Sequence, residues 1–196
     1  GLARRLLGGH PAGAVRRPRF FVVLGPPRRG VAAWAGVLRH VDYRLVAELV
    51  DGIVLPPPEG DPLSLAATKR TLKQMIKLVP PRKLLLGIAG CCCDREGRLL
   101  PYRSLALSKA RGPKSVCRDR EKCVNMLSTA PKAPDEPSSE AHDLWYEDRE
   151  TINLKLDLVE LFKLAGLALW RLGWENRDIW RPIRERFEPM KVFAGT

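Results

Sequence analysis

The stretch from Trp145 to Trp180, WYEDRETINLKLDLVELFKLAGLALWRLGWENRDIW, constrains this chain most, because it contains one whole helix-to-strand unit. Ile152, Leu156, Val159 and Phe162 recur at helical spacing, and Leu158, Leu161 and Ala165 widen the stripe. The pattern predicts a helix over 148–165 with one buried face. Gly166 follows as a helix C-cap should, and Leu167 to Trp170 is an apolar run short enough for a buried strand. Helix, glycine and buried strand make an α/β repeat. An aromatic residue at the C-terminal tip of its strand stands where α/β barrels keep their ligand-facing groups.

Earlier segments repeat the unit. KLLLGIAG, Lys83 to Gly90, is an apolar run starting just after Pro80 and Pro81. Before it, Asp61 is placed to cap a helix and Pro62 suits its first turn, with Leu65, Leu72, Met75, Ile76 and Val79 as its apolar face. VDGIVL, Val50 to Leu55, and RFFVVLGPP, Arg19 to Pro27, are two further candidate strands. Strands recurring at roughly 30-residue intervals match a (β/α)8 barrel, in which eight units take about 250 residues.

On these residues the chain resembles a known family. WYED, a helix, GLALWRLGWEN and a closing IW are similar to the last repeat of the family 18 glycoside hydrolases, particularly the bacterial branch acting on spore and cell-wall peptidoglycan. The resemblance implies an α/β (β/α)8 TIM barrel of which this chain covers about strands 5 to 8. Arg19–Pro27 would be the fifth strand, Val50–Leu55 the sixth, Lys83–Gly90 the seventh and Leu167–Trp170 the eighth. Residues 1–18 would be the end of a fourth helix and a linker, and residues 19–90 would carry strands 5 to 7. Residues 91–144 would form a degenerate insertion between strand 7 and helix 7, and residues 145–190 helix 7, strand 8 and helix 8. Within the insertion, LPYRSLALSKARG fits a first helix, whereas APKAPDEPSSEAHD reads as a mobile connection.

The departures bear on chemistry. In this family the substrate's own N-acetyl group attacks the anomeric carbon, while a protein acid protonates the leaving oxygen and a neighbouring Asp orients the acetamide. The DGxxxDxE segment that supplies both is not found in these 196 residues. Where the family's sixth strand carries Met-x-Tyr-Asp, this chain has Pro56, Pro57, Pro58 and Glu59; where its seventh carries stacking aromatics, this chain has Gly90, Cys91, Cys92, Cys93 and Asp94. The simplest reading puts the first four strands upstream in a longer parent, since a lone half-barrel leaves sheet edges and an apolar face uncovered.

The resemblance implies that Trp170 floors a sugar subsite; an isolated Trp is also an ordinary core side chain. Glu59 is placed to bind sugar hydroxyls, or is a plain turn residue before Gly60 and Asp61, and Asp94 has the same two readings. Trp145, Tyr146, Trp174 and Trp180 read as seals between helices and barrel. The expected parent binds and hydrolyses an N-acetylglucosamine-containing polysaccharide, chitin or peptidoglycan, without a cofactor. The alternative is a non-catalytic carbohydrate-binding or wall-anchoring protein. The family resemblance points to a secreted, spore or cell-wall location, but the basic N-terminus lacks the apolar h-region of a signal peptide.

Composition narrows the rest. Hydrophobic residues make up 45% of the chain, and no run approaches the roughly 20 apolar residues of a membrane span. The net charge of +12 invites a nucleic-acid reading, yet neither basic cluster, Arg4 to Arg29 or Lys109 to Lys122, brings aromatic interleaving or a recognised motif. Ordinary solvated basic faces account for it best, attraction to an anionic wall polymer comes second, and nucleic acid is the least favoured partner. Of the five cysteines, Cys91, Cys92 and Cys93 are consecutive, so on an extended strand they alternate in direction and suit no single tetrahedral metal site. Cys117 and Cys123 fit buried thiols or, in an oxidising compartment, a disulfide. His10, His40 and His142 are scattered.

Overall fold

The computed structural model describes residues 19–26, 41–105, 114–119, 124–129 and 143–188. Two sheets organise them. The first holds four parallel strands, β1 (Phe21–Val23), β2 (Gly52–Leu55), β3 (Leu84–Ile88) and β9 (Gly166–Leu169), in that order. The four expected barrel strands are thus neighbours, each in the predicted place. Helices α1 (Tyr43–Leu49), α2 (Leu65–Met75), α3 (Arg149–Leu161) and α4 (Trp180–Arg186) complete the α/β alternation.

Alternation along the strands divides the parallel sheet into two faces. Ile53, Leu55, Leu84, Leu86 and Ile88 point to the helices and merge with Leu72, Met75, Ile152, Leu156 and Val159 in one core cluster. The opposite face carries Phe21 and Leu85, whose side chains cover Gly52 so closely that a Cβ there would meet both within 2.9 Å. Phe21 and Val23, at 41% and 54% exposed, lie open on that face. This is the surface that turns inward when such a sheet closes into a barrel.

Local chemistry fixes the helix ends. Asp148 caps α3 through a reciprocal pair: its carboxylate accepts from the Thr151 N–H at 2.9 Å, and the Thr151 hydroxyl accepts from the Asp148 N–H at 2.8 Å. At its other end α3 stops before the expected Gly166. Phe162 is the C-cap, and Lys163 takes the left-handed backbone conformation (φ 51°). The reason is register: Gly166 already pairs with Leu85 in the sheet, so the chain must leave the helix three residues earlier. Likewise Ser64, not Asp61, caps α2, its hydroxyl accepting from Ala67 N–H at 3.2 Å.

The second sheet corrects the expectation of a degenerate insertion. β4 (Cys92–Cys93), β5 (Leu99–Leu100), β6 (Lys114–Asp119), β7 (Val124–Thr129) and β8 (Asp143–Tyr146) form a five-stranded antiparallel sheet in the order β5-β4-β8-β7-β6. KSVCRD and VNMLST pair over six residues each, although their polar content hides the alternation that marks a half-buried strand. Trp145 and Tyr146 belong to β8 and pair with Cys93 and Cys92, so the insertion extends past the expected boundary at residue 144. Of the helix expected within LPYRSLALSKARG, residues 103–105 are helical and the remainder of the segment lies outside the described residues. Residues 1–18, most of APKAPDEPSSEAHD, His10, His40, His142 and Cys123 also fall outside them, as does the side chain of Cys117.

Candidate functional site

Because the four strands are parallel, their C-terminal tips share one end of the sheet, and the chain segments leaving them converge there. The β9 strand delivers Trp170, whose N–H still donates to the Ile88 carbonyl at 2.8 Å, so the tip of β9 is fixed against the tip of β3. Trp170 is half-buried. It packs into none of the three apolar clusters, whereas Trp145 and Trp174 pack on the second and Trp180 on the first. Trp180 also donates its indole N–H to Glu175 at 3.3 Å, as expected of a seal.

The other two predicted residues sit on two loops that touch one another. Glu59 is exposed in the turn after the three prolines. Asp94 opens the β4–β5 turn: one carboxylate oxygen accepts from the Arg98 N–H at 2.9 Å, the other from the Arg98 guanidinium at 2.6 Å. The Arg98 side chain and backbone hold the Asp94 carboxyl below its usual value against the opposing effect of burial. The same turn leans on the Glu59 loop, since a Cβ on Gly97 would stand 2.5 Å from the Gly60 carbonyl oxygen. Gly97 has φ +75°, so glycine is required there by both conformation and contact.

Beneath the tips lies a buried ionic pair that sequence reasoning missed. Glu147 and Lys155 are both almost completely inaccessible and form an ion pair. Burial pushes the Glu147 carboxyl up to about 7, against the attraction of Lys155. Its neighbours tie the inserted sheet to the barrel: Asn176 donates its side-chain N–H to the Glu147 carbonyl at 3.4 Å and its backbone N–H to the Gly90 carbonyl at 2.7 Å. Asn125 on β7 donates to the Asp148 carboxylate at 2.6 Å. A signal for the pair was present, because Lys155 occupies the buried face of α3 three residues after Ile152 and four before Val159. A lysine on an apolar stripe demands a partner.

The three cysteines alternate as expected. Cys91 and Cys93 enter the cluster with Leu63, Ala89 and Val124, while Cys92 enters that of Leu105, Leu127 and Tyr146. Burial, reinforced by Glu147, pushes the Cys91 thiol up to about 12, so it stays protonated at neutral pH and is a packing group rather than a nucleophile. Among the described residues no cluster of His, Cys, Asp and Glu is arranged to hold a metal. At the opposite end of the strands, a groove of about 500 Å³ is lined by Arg44, Lys77, Arg82 and Lys83, far from Trp170.

No family model matches the chain. A spore cortex-lytic enzyme SleL of Bacillus cereus superposes with a TM-score of 0.69 at 20% identity, over 95% of this chain and 44% of that one. A class V chitinase of Pseudomonas fluorescens gives 0.67 at 18% identity, over 85% and 56%. The fold is that of the family 18 chitinase-like barrels. In sequence, the cortical fragment-lytic enzyme of Bacillus subtilis is 23% identical over 167 residues, 76% of this chain and 38% of its own length. The chain therefore spans 38% of the curated relatives it matches. Its four parallel strands are arranged as in part of such a barrel, with a folded antiparallel sheet inserted between β3 and β9. No helix among the described residues is long and apolar enough to cross a membrane.

Proposed function

We propose that the protein carrying this chain binds and hydrolyses an N-acetylglucosamine-containing glycan of cell wall or chitin, and that these residues supply a wall of the sugar site without the catalytic acid. The observation that carries this reading is Trp170: a half-buried ring at a strand tip, anchored by its backbone to β3 and outside every apolar cluster. Such a ring offers its face to the apolar face of a pyranose. Glu59 is exposed, and the Asp94 carboxylate accepts from Arg98; both are offered as groups for sugar hydroxyls. Similarity to a cortical fragment-lytic enzyme and to chitinases supports a glycan substrate.

The remaining carboxylates at this end favour binding over bond cleavage within these residues. Glu147 is sealed against Lys155, and Glu175 accepts from Trp180. Burial opposes ionisation of Glu175, but backbone N–H groups and the Trp180 indole outweigh it and hold its carboxyl below the usual range, unsuited to donating a proton at neutral pH. The purified 196-residue chain is therefore expected to release no sugar from chitin oligosaccharides or peptidoglycan, since general-acid catalysis alone is typically worth 10²–10⁴-fold. Turnover by these residues alone would overturn this assignment. If the full-length protein binds glycan but does not cleave it, the wall-anchoring or carbohydrate-binding alternative takes its place.

A further inference from the structure

Directly after Trp170 the chain makes a tight turn, Arg171-Leu172-Gly173-Trp174. The Trp174 N–H donates to the Arg171 carbonyl at 3.2 Å, and Gly173 at the third position takes the positive φ (+84°) that such a turn requires. First and fourth residues are thereby set side by side, and the Arg171 guanidinium lies 4.7 Å above the centre of the Trp174 ring. Trp174 is itself immobilised: its ring packs with Leu63, Ala89, Cys91 and Cys93, and its carbonyl accepts from Tyr102 N–H at 2.8 Å. Arg171 is exposed, yet it is pre-positioned by a rigid aromatic platform at the strand tips.

The arginines nearby differ from it. Arg95 is paired with Asp143 and Arg98 with Asp94 and Glu96, whereas Arg171 has no carboxylate partner among the described residues. A stacked guanidinium keeps its in-plane N–H donors directed outward, and their preferred complement is a carboxylate taken in bidentate fashion. We propose that Arg171 is a specificity-determining residue that selects glycans bearing free carboxylates, as peptidoglycan does on its stem peptides and wherever a muramic lactyl group carries none, over neutral chitin. This rests on the reading of Trp170 as a sugar floor. Trp170 would stack on the pyranose common to both polymers, and Arg171, one residue on, would pair with the acidic substituent that only one of them carries.

The test uses the full-length protein and three probes of equal length: a neutral N-acetylglucosamine oligomer, a peptidoglycan glycan fragment with its carboxylates intact, and the same fragment with those carboxylates methyl-esterified. Calorimetric titration should show that Arg171→Gln weakens the carboxylate fragment about tenfold or more, the range of one lost charge-assisted hydrogen bond, while leaving the neutral oligomer unchanged. Arg171→Lys should restore part of the loss, and esterification should reproduce it in the unsubstituted protein. Equal weakening of all three probes, or none of any, would overturn the role of Arg171 while leaving glycan binding intact. Failure of the unsubstituted protein to bind any probe would instead remove the sugar site, and this inference with it.

Discussion

The two faces of the parallel sheet are unlike. Towards the helices, Ile53, Leu55, Leu84, Leu86 and Ile88 are all at most 3% exposed; on the other side Phe21 and Val23 remain 41% and 54% exposed. The same strands, of similar composition, thus bury one face completely and leave the other unfinished. Packing against α2 and α3 is sufficient for the first face, whereas the second needs the layers of inward side chains that only a closed set of eight strands provides. Stability of this chain therefore resides on the helix side.

The largest effect tests the buried pair that joins the two sheets. Lys155→Met should cost about 3–5 kcal/mol above pH 7, because it leaves Glu147 buried and charged without a partner. The cost should shrink near pH 5, where Glu147 is neutral. The sign follows from its raised folded value: an unfolded glutamate titrates near 4.5, the folded one near 7, so between these the native state holds a proton that the unfolded chain has lost. This group's contribution is fully present below 4.5 and is lost as pH rises to about 7. Denaturant melts of Glu147→Gln across that window should show a flatter pH profile than the unsubstituted protein; an unchanged slope would mean that another group controls it.

Slightly smaller is the effect of Leu86→Ala on the sealed face, expected at about 2–5 kcal/mol in chemical denaturation. Its counterpart on the open face, Val23→Thr, should stay within about 0.5 kcal/mol. Comparable costs for the two would contradict the division into a finished and an unfinished face. Between them falls Gly97→Ala, which forces a Cβ against the Gly60 carbonyl in a backbone conformation that disfavours alanine. Strain at such a position costs on the order of 1–3 kcal/mol. Hydrogen exchange should place the loss in the β4–β5 turn and the Glu59 loop, with β2 and β3 unaffected.

What the sequence revealed follows the same division. Strands buried against helices announce themselves as apolar runs, so β1, β2, β3 and β9 were readable to within a few residues, and the resemblance of their spacing to a family supplied the barrel. The inserted strands were not, because KSVCRD mixes charged, and VNMLST uncharged polar, residues with apolar ones. β6 pairs with β7, and β7 in turn takes its register from β8, Leu127 opposite Leu144, which no local pattern encodes. The C-terminal limit of α3 was misjudged for a similar reason: sheet register at Gly166 overrode a good glycine cap. The position of Trp170 at the tip of β9 was legible from the end of an apolar run. Asp94 was read from its place at the expected seventh-strand tip, and its bonds to Arg98 emerged only with the β4–β5 turn. Arg171 carried no signal until the turn brought it onto Trp174.

The central claim is that Trp170 faces sugar while Trp180 faces core. Trp170→Ala and Trp180→Ala, made in the full-length protein and each shown to be folded, should be titrated calorimetrically with N-acetylglucosamine oligomers. The account predicts a loss of about 1–3 kcal/mol in binding for Trp170→Ala, by analogy with bases stacked on aromatic side chains. Trp180→Ala should keep its affinity and lose thermal stability. Unchanged affinity in a folded Trp170→Ala protein would contradict the account and make that ring a structural side chain.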